Sequence, residues 1–260
     1  MSFKLQNHMR AGRPGPAAPQ TLILVLFLLL AGGRQLVAQD DGGHRVTPAS
    51  LPAGTRIIGI DHIILGVADL DAGIDAMERL TGVRPVRGGV HPQYGTHNAL
   101  LATGSAQYIE ILAPAPGREL VPYLEPLRSF ATPTPVAWVV ATSDVDGMAH
   151  WLDSGGYHML PPEPGSRMQP DGSLLEWILL SPNPMINPTV PAFIEWDVAS
   201  EHPARHLPRV GSIISVSLLD PAPTTLYPLI RALELPAMVQ EGTAAGISLE
   251  IETARGPVRF

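Results

Sequence analysis

A strand, an acidic residue and an amphipathic helix follow one another three times in this chain, and the acidic residues Asp69, Asp144 and Asp220 stand 75 and 76 residues apart. A period that regular makes each repeat one supersecondary unit, and a fold that ignored it would misplace every element. The first unit opens with the apolar run Arg56 to Val67, followed by Asp69 and a segment with Leu70, Ile74, Met77 and Leu80 at helical spacing, ending near Gly82. The second has Pro135 to Ala141, Asp144, then Val145, Met148 and Leu152, stopped at Gly155 and Gly156. The third has Gly211 to Leu219, Asp220 with Pro221, then Leu226, Leu229 and Leu233. Apolar residues near i, i+3/i+4 and i+7 mark one buried helix face, and an Asp just ahead of them marks a helix start.

Each helix is followed by extended stretches. They are His97 to Ala102 and Gln107 to Leu112 in the first unit, Leu174 to Leu180 and Ala192 to Trp196 in the second, and Gly246 to Thr253 with Pro257 to Phe260 in the third. Proline-rich links between them read as turns. The order β, α, then two or three β predicts an α+β protein built of βαβββ modules, with curled sheets covered by helices on their outer faces. The predicted layout is a leader over 1–38, a linker over 39–55 and a two-module domain over 56–200. Its modules span 56–116 and 133–200, and a degenerate third module spans 205–260.

The leader is expected to direct export. Lys4, Arg10 and Arg13 precede a ten-residue apolar run from Leu22 to Ala31, and Leu36-Val37-Ala38 offers a small residue for cleavage, the layout of a secretory signal. Ten apolar residues fall well short of the ~20 that span a bilayer. The expected location is therefore periplasmic or secreted, with no stable membrane insertion after cleavage; anchoring by an uncleaved N-terminal helix is the alternative. Beyond residue 38 the chain carries 13 basic against 24 acidic side chains, a net charge of −11, which argues against nucleic acid as a partner. Lys4 is the only lysine and there is no cysteine, so the exported part has no amine for a Schiff base, no thiol nucleophile and no thiolate ligand. A homodimer is compatible with the composition.

Polar groups set into apolar strands are the candidate site: His62 in Ile60-Asp-His-Ile-Ile64, His97 in Gly95-Thr-His-Asn98, and Glu110 in Tyr108-Ile-Glu-Ile-Leu112. A buried histidine or carboxylate needs a partner, and imidazole with carboxylate is a donor set that suits divalent metals. Residues two apart on a strand share a face, which groups His62 with Ile60 and Ile64, and Glu110 with Tyr108 and Leu112. Strand architecture explains the carboxylate equally well, since apolar-Glu-apolar recurs around Glu195 and Glu250. His91, beside Pro92 in a glycine-rich stretch, reads as a loop residue, and Trp138, Trp177, Trp196, Tyr94 and Tyr108 are candidates to line a cavity.

The repeat, together with Asp61-His62, Gly88-Gly-Val-His-Pro92, Gly95-Thr-His-Asn-Ala-Leu100 and Tyr108-Ile-Glu110, resembles the vicinal oxygen chelate superfamily, and within it the glyoxalase-like domain branch. The resemblance implies that two modules pair into a sheet-walled cup. In metal-using members of that superfamily a divalent ion chelates two neighbouring substrate oxygens, held by ligands from the first and last strands of each module. Carried over, it makes His62 and Glu110 metal ligands with His97 or Glu195 as the third, and leaves acid–base work to Glu195 and Glu176, while Ala137 stands where the second module should repeat His62. The implied function is a lyase, isomerase or dioxygenase acting on a small oxygenated molecule with manganese, iron or zinc. Alternatives are a metal-free protein that sequesters a small molecule in the same cup, and a structural subunit that dimerises through edge strands.

Overall fold

The first two repeats become halves of one sheet because each leaves the free edge of its first strand to the other. In the computed structural model, which describes residues 50–168 and 174–260, the first module comprises β1 (Ile57–Gly66), α1 (Leu70–Thr81), β2 (Val86–His91), β3 (Thr96–Ala102) and β4 (Tyr108–Pro114). The second comprises β5 (Thr134–Thr142), α2 (Val145–Ser154), β6 (Glu163–Met168), β7 (Leu174–Leu180) and β8 (Ala192–Trp196). The leader expected over 1–38 and most of the 39–55 linker lie outside the described residues.

The eight strands run β2-β3-β4-β1-β5-β8-β7-β6, with β1 parallel to β4, β5 parallel to β8, and β1 joined antiparallel to β5 at the centre. The same order reads outward from the β1/β5 seam in both directions, the expected two-module arrangement. The sheet curls until its edge strands meet: Tyr94, just after β2, donates its hydroxyl to Glu163 Oε2 on β6 at 2.5 Å, and the stem of Arg167 on β6 lies over Gly89 on β2. Two glycines make the curl feasible. Gly95 has φ +71° and turns so tightly under the Glu119 carbonyl that a Cβ would collide with it, while Gly165 on β6 lies flat beneath the Trp177 indole.

The helices form as their periodicity predicts. Leu70, Ile74 and Met77 of α1 and Val145, Met148 and Leu152 of α2 are buried against the outer sheet face, each such side chain contributing about 1.5–3 kcal/mol. Leu80, expected on the same stripe, is exposed. Asp69 Oδ1 accepts the Ala72 N–H at 2.8 Å and Asp144 Oδ1 that of Gly147 at 2.8 Å, so both are the N-caps predicted from sequence. Asp144 also accepts the Thr55 hydroxyl at 2.6 Å.

The third repeat keeps the order of elements but not their arrangement. It forms β9 (Gly211–Asp220), α3 (Pro223–Ala232), β10 (Ala237–Glu241), β11 (Gly246–Thr253) and β12 (Val258–Arg259), in spatial order β10-β9-β11-β12. Here β9 is flanked on both sides, by β10 in parallel and β11 antiparallel, which leaves no edge on which a partner module could pair. Asp220 is the end of β9 rather than a cap: α3 starts after Ala222 on Pro223 and has no side-chain cap. This unit instead covers the outer face of the large sheet, where Val216, Leu218, Leu249 and Ile251 share one core with Ile63, Trp138, Val140 and Met148.

Asp69→Ala should cost about 1 kcal/mol through loss of a cap, and Asp144→Ala about 2 kcal/mol because the Thr55 bond goes with it. Urea unfolding of the two variants measures both, and equal losses would show that the Thr55 contact contributes nothing.

Candidate functional site

One extra residue in β1 builds the site. Ile60 pairs with Val140 and His62 with Val139, so Asp61 is a β-bulge opposite no partner residue. A bulge breaks the alternation of faces. Ile60, Ile63 and Leu65 therefore belong to the core on the helix side, whereas His62 and Ile64 line the cup, and the Asp61 carboxylate reaches the His62 ring beside it. The expected grouping of His62 with Ile64 holds; that with Ile60 does not.

Asp61 is 1% exposed and collects three donors. Its Oδ1 lies 2.7 Å from His62 Nδ1, and its Oδ2 lies 2.8 Å from Trp196 Nε1 on β8 and 3.1 Å from His202 Nε2, in the segment after β8. Burial alone would push this carboxyl up; the hydrogen bonds from His202 and His62 outweigh it and hold the group well below the usual carboxylate range. An ionised Asp61 only accepts, so His62 carries a proton on Nδ1 and presents Nε2 to the cup. His202 accepts the Ala204 N–H on Nδ1 at 3.2 Å, which leaves its Nε2 proton for Asp61. The His62 ring is stacked on Tyr108, with centroids 4.4 Å apart.

Glu110 faces His62 across the cup wall, with its Oε2 3.5 Å from His62 Nε2. Its Oε1 accepts Asn98 Nδ2 at 2.8 Å, and Asn98 Oδ1 accepts the Gly89 N–H at 2.8 Å, which fixes the amide's orientation. Beyond Asn98, His91 Nε2 lies 3.5 Å from the amide nitrogen, and His91 Nδ1 lies 3.0 Å from the Thr96 hydroxyl. Burial raises the Tyr108 hydroxyl well above its ordinary pKa, as do the charges of Asp61 and Glu110, while the Arg167 charge opposes them.

These groups line a cavity of about 150 Å³. Its walls are unlike. The first module supplies His62, Glu110, Asn98, Thr96 and His91 beside Ile64, Leu100 and Leu112, whereas the second presents Ala137, Val139, Ala192, Ile194, Trp177 and Trp196 from its inner strands and Glu163 and Arg167 from its edge strand β6. Tyr94 and Tyr108 line it as expected; Trp138 does not, since it is wholly buried in the core on the opposite face.

Of the residues expected from sequence, the structure brings His62 and Glu110 together and sends the other three elsewhere. His97 lies between Thr96 and Asn98, both of which line the cup, so strand alternation turns it to the other face. Glu195 accepts the Val145 N–H at 2.8 Å and so serves the start of α2, and Glu176 is exposed on the outside of β7. Asn98, Arg167 and His202 join the site although the sequence pattern does not mark them as site residues. Asn98 stands one position from His97, and a strict two-residue count from Thr96 would have found it.

A resident metal ion fits these residues poorly. Catalytic sites ordinarily supply three protein ligands. His62 Nε2 and Glu110 Oε2 are two, Glu163, the carboxylate that the second module brings to the cavity, is engaged by the Tyr94 hydroxyl, and among the described residues no group of three His, Asp or Glu side chains is arranged to hold an ion. The orientation of His62 by a carboxylate is nonetheless the one that metal-binding and proton-accepting imidazoles share.

The fold and the site together define a two-module, sheet-walled cup, and the comparisons agree. The chain belongs to the glyoxalase-like domain family, whose model matches residues 60–233, and thereby to the vicinal oxygen chelate superfamily. A hypothetical protein from Staphylococcus aureus is similar in fold, with a TM-score of 0.57 at 17% identity over 78% of this chain and 98% of that one. Methylmalonyl-CoA epimerase from Mycobacterium tuberculosis matches with a TM-score of 0.36 at 22% identity, over 59% of this chain and 94% of its own. A Streptomyces coelicolor methylmalonyl-CoA epimerase variant, in complex with 2-nitronate-propionyl-CoA, matches with a TM-score of 0.41 at 22% identity over 56% and 99% of the two chains. No curated protein matches significantly.

Asp61 contributes to stability fully above the unfolded carboxylate pKa of about 3.9, and that contribution is lost as pH falls through its depressed folded value. Asp61→Asn, which sets an amide N–H against donors, should destabilise the protein by about 3 kcal/mol at neutral pH and flatten the loss of stability below about pH 4. Urea unfolding of both proteins across that range measures it; parallel pH profiles would show that Asp61 is not the acid-sensitive group.

Proposed function

We propose that this is an exported enzyme that binds a small oxygenated organic molecule in the cup and moves a proton on it. The observation that carries the reading is the Asp61, His62 and Glu110 array. A buried carboxylate fixes one imidazole tautomer, and the free Nε2 faces the cavity 3.5 Å from a second carboxylate. A base with this arrangement accepts a proton from a carbon next to a carbonyl, and the resulting imidazolium is stabilised by Asp61. Glu110, held by Asn98, is placed to exchange that proton with His62 and return it, which makes isomerisation or elimination the reaction class. A cavity of about 150 Å³ suits a molecule with the bulk of a benzene ring, because a cavity of roughly that volume accepts benzene. The divalent ion implied by the family resemblance finds two of its three usual ligands here, so the proposed proton transfer is assigned to side chains alone. Export rests on the order of basic, apolar and small residues over 1–38.

The apolar wall with Trp177 and Trp196 favours a second reading, a binding protein without turnover. Incubating the full-length protein with small 2-oxo and 2-hydroxy acids and ketones in D₂O, with proton NMR as the readout, separates the two. The enzyme reading expects exchange of the carbon-bound proton adjacent to the carbonyl that survives EDTA dialysis and falls at least ~100-fold in His62→Gln and Glu110→Gln, the usual scale of lost acid–base catalysis. His97→Ala and Glu176→Gln should keep it. Binding with no exchange would establish the sequestering protein instead, and exchange abolished by EDTA and restored by zinc or manganese would return the chemistry to a metal.

A further inference from the structure

We infer that the ligand of this cup is a small carboxylate, gripped by Arg167 with help from the Tyr108 hydroxyl. The inference rests on the proposed small-molecule cup and names what it takes. Glu163, Gly165 and Arg167 alternate along the cup face of the edge strand β6, and all three line the cavity. Glu163 already has a partner in the Tyr94 hydroxyl. Arg167 has none: its stem lies along Gly89 of the opposite edge strand, and among the described residues its guanidinium makes no hydrogen bond or ion pair.

A half-buried arginine with no protein anion beside it is open to a bound one, since its planar fork of donors matches two carboxylate oxygens. The Tyr108 hydroxyl repeats the pattern. Its ring is buried against His62, the residue lines the same cavity, and its hydroxyl makes no hydrogen bond among the described residues. Two residues whose donors lack a protein partner thus line one small volume with the proton-accepting pair His62 and Glu110. A short 2-oxo or 2-hydroxy acid satisfies both requirements at once, its carboxylate on Arg167 and its neighbouring oxygen on Tyr108, with the carbon-bound proton left to His62.

The test is equilibrium binding to the full-length protein, read from the fluorescence of Trp177 and Trp196 in the cup wall. The probes are pyruvate and lactate, their uncharged amides, and inorganic phosphate. The wild type should bind each acid at least about tenfold more tightly than its amide, the scale of one hydrogen-bonded charge pair. Arg167→Gln should erase that preference while amide affinity stays within about twofold, and Arg167→Lys should restore part of it, since ammonium keeps the charge but not the fork. Equal binding of acid and amide by the wild type would overturn the inference without any variant. So would undiminished acid binding by Arg167→Gln, phosphate binding tighter than that of either acid, or no saturation by any acid up to about 10 mM, above the usual range of substrate affinities. Arg167-dependent acid binding with no proton exchange would uphold this inference and sink proton transfer. Exchange on neutral ketones that Arg167→Gln leaves unchanged would do the reverse.

Discussion

The rest of the site hangs on one buried carboxylate. Asp61 has lost nearly all its water, an effective penalty of several kcal/mol, and three hydrogen bonds to the ionised oxygens, at about 1.5–3 kcal/mol each, offset it. The donors come from three places: the neighbouring residue on β1, Trp196 at the end of β8, and His202 beyond the second module. The carboxylate therefore ties the first module to the second and to the segment leading into the third unit. It also decides the tautomer of His62, and with it which nitrogen any bound molecule meets. Structure and chemistry depend on the same charge here, which is why a bulge that breaks strand alternation is tolerated in the central strand.

The two modules share a backbone plan and have diverged in what they place inside it. At the position corresponding to His62 the second module has Ala137, and along β8 the cup face carries Ala192, Ile194 and Trp196. Its carboxylate, Glu195, points the other way and holds the first N–H of α2. A cup whose inner strands are polar in one module and apolar in the other, with charge from the second module only at its edge strand β6, places His62 and Glu110 on one side of any bound molecule. This asymmetry, more than the curled sheet, separates the present site from a symmetric chelate.

Much of the fold was legible in the sequence because the strands of the two inner module layers are apolar and the helices carry capping aspartates. β1, β3, β4, β5, β7 and β8 all fall on runs the hydrophobic pattern marks. β2 and β6 escaped notice for a physical reason: Val-Arg-Gly-Gly-Val-His and Glu-Pro-Gly-Ser-Arg-Met have the composition of turns, and edge strands tolerate glycine, proline and charge that central strands do not. The site was half legible. His62 and Glu110 sit in apolar strands, where a polar residue demands a reason. His97 misled because imidazole is the more familiar ligand, although Asn98 next to it has the inward position. Glu176 and Glu195 misled because a carboxylate in a strand says nothing about which face it takes. The bulge at Asp61 left no mark in the local pattern, since its extra residue is defined by pairing with β5, more than 70 residues away. The third repeat looked like the others for the same reason: its order of elements is visible in the chain, but whether β10 or β12 pairs with β9 is decided in space.

The edge strands that were hardest to read are the ones that close the cup. Were β2 and β6 rich in apolar alternation, their unpaired edges would invite further strands, and the sheet would extend instead of curling shut. Glycine and charge there serve two ends. Gly89 and Gly165 let a side chain from the opposite edge, or an indole from the next strand, lie flat against the backbone, while Glu163 and Arg167 bring charge to the seam. Glu163 is spent on closing the sheet through Tyr94. Arg167 is left without a protein anion in the same small cavity as His62 and Glu110, so the closure that makes the cup also supplies the group that selects what enters it.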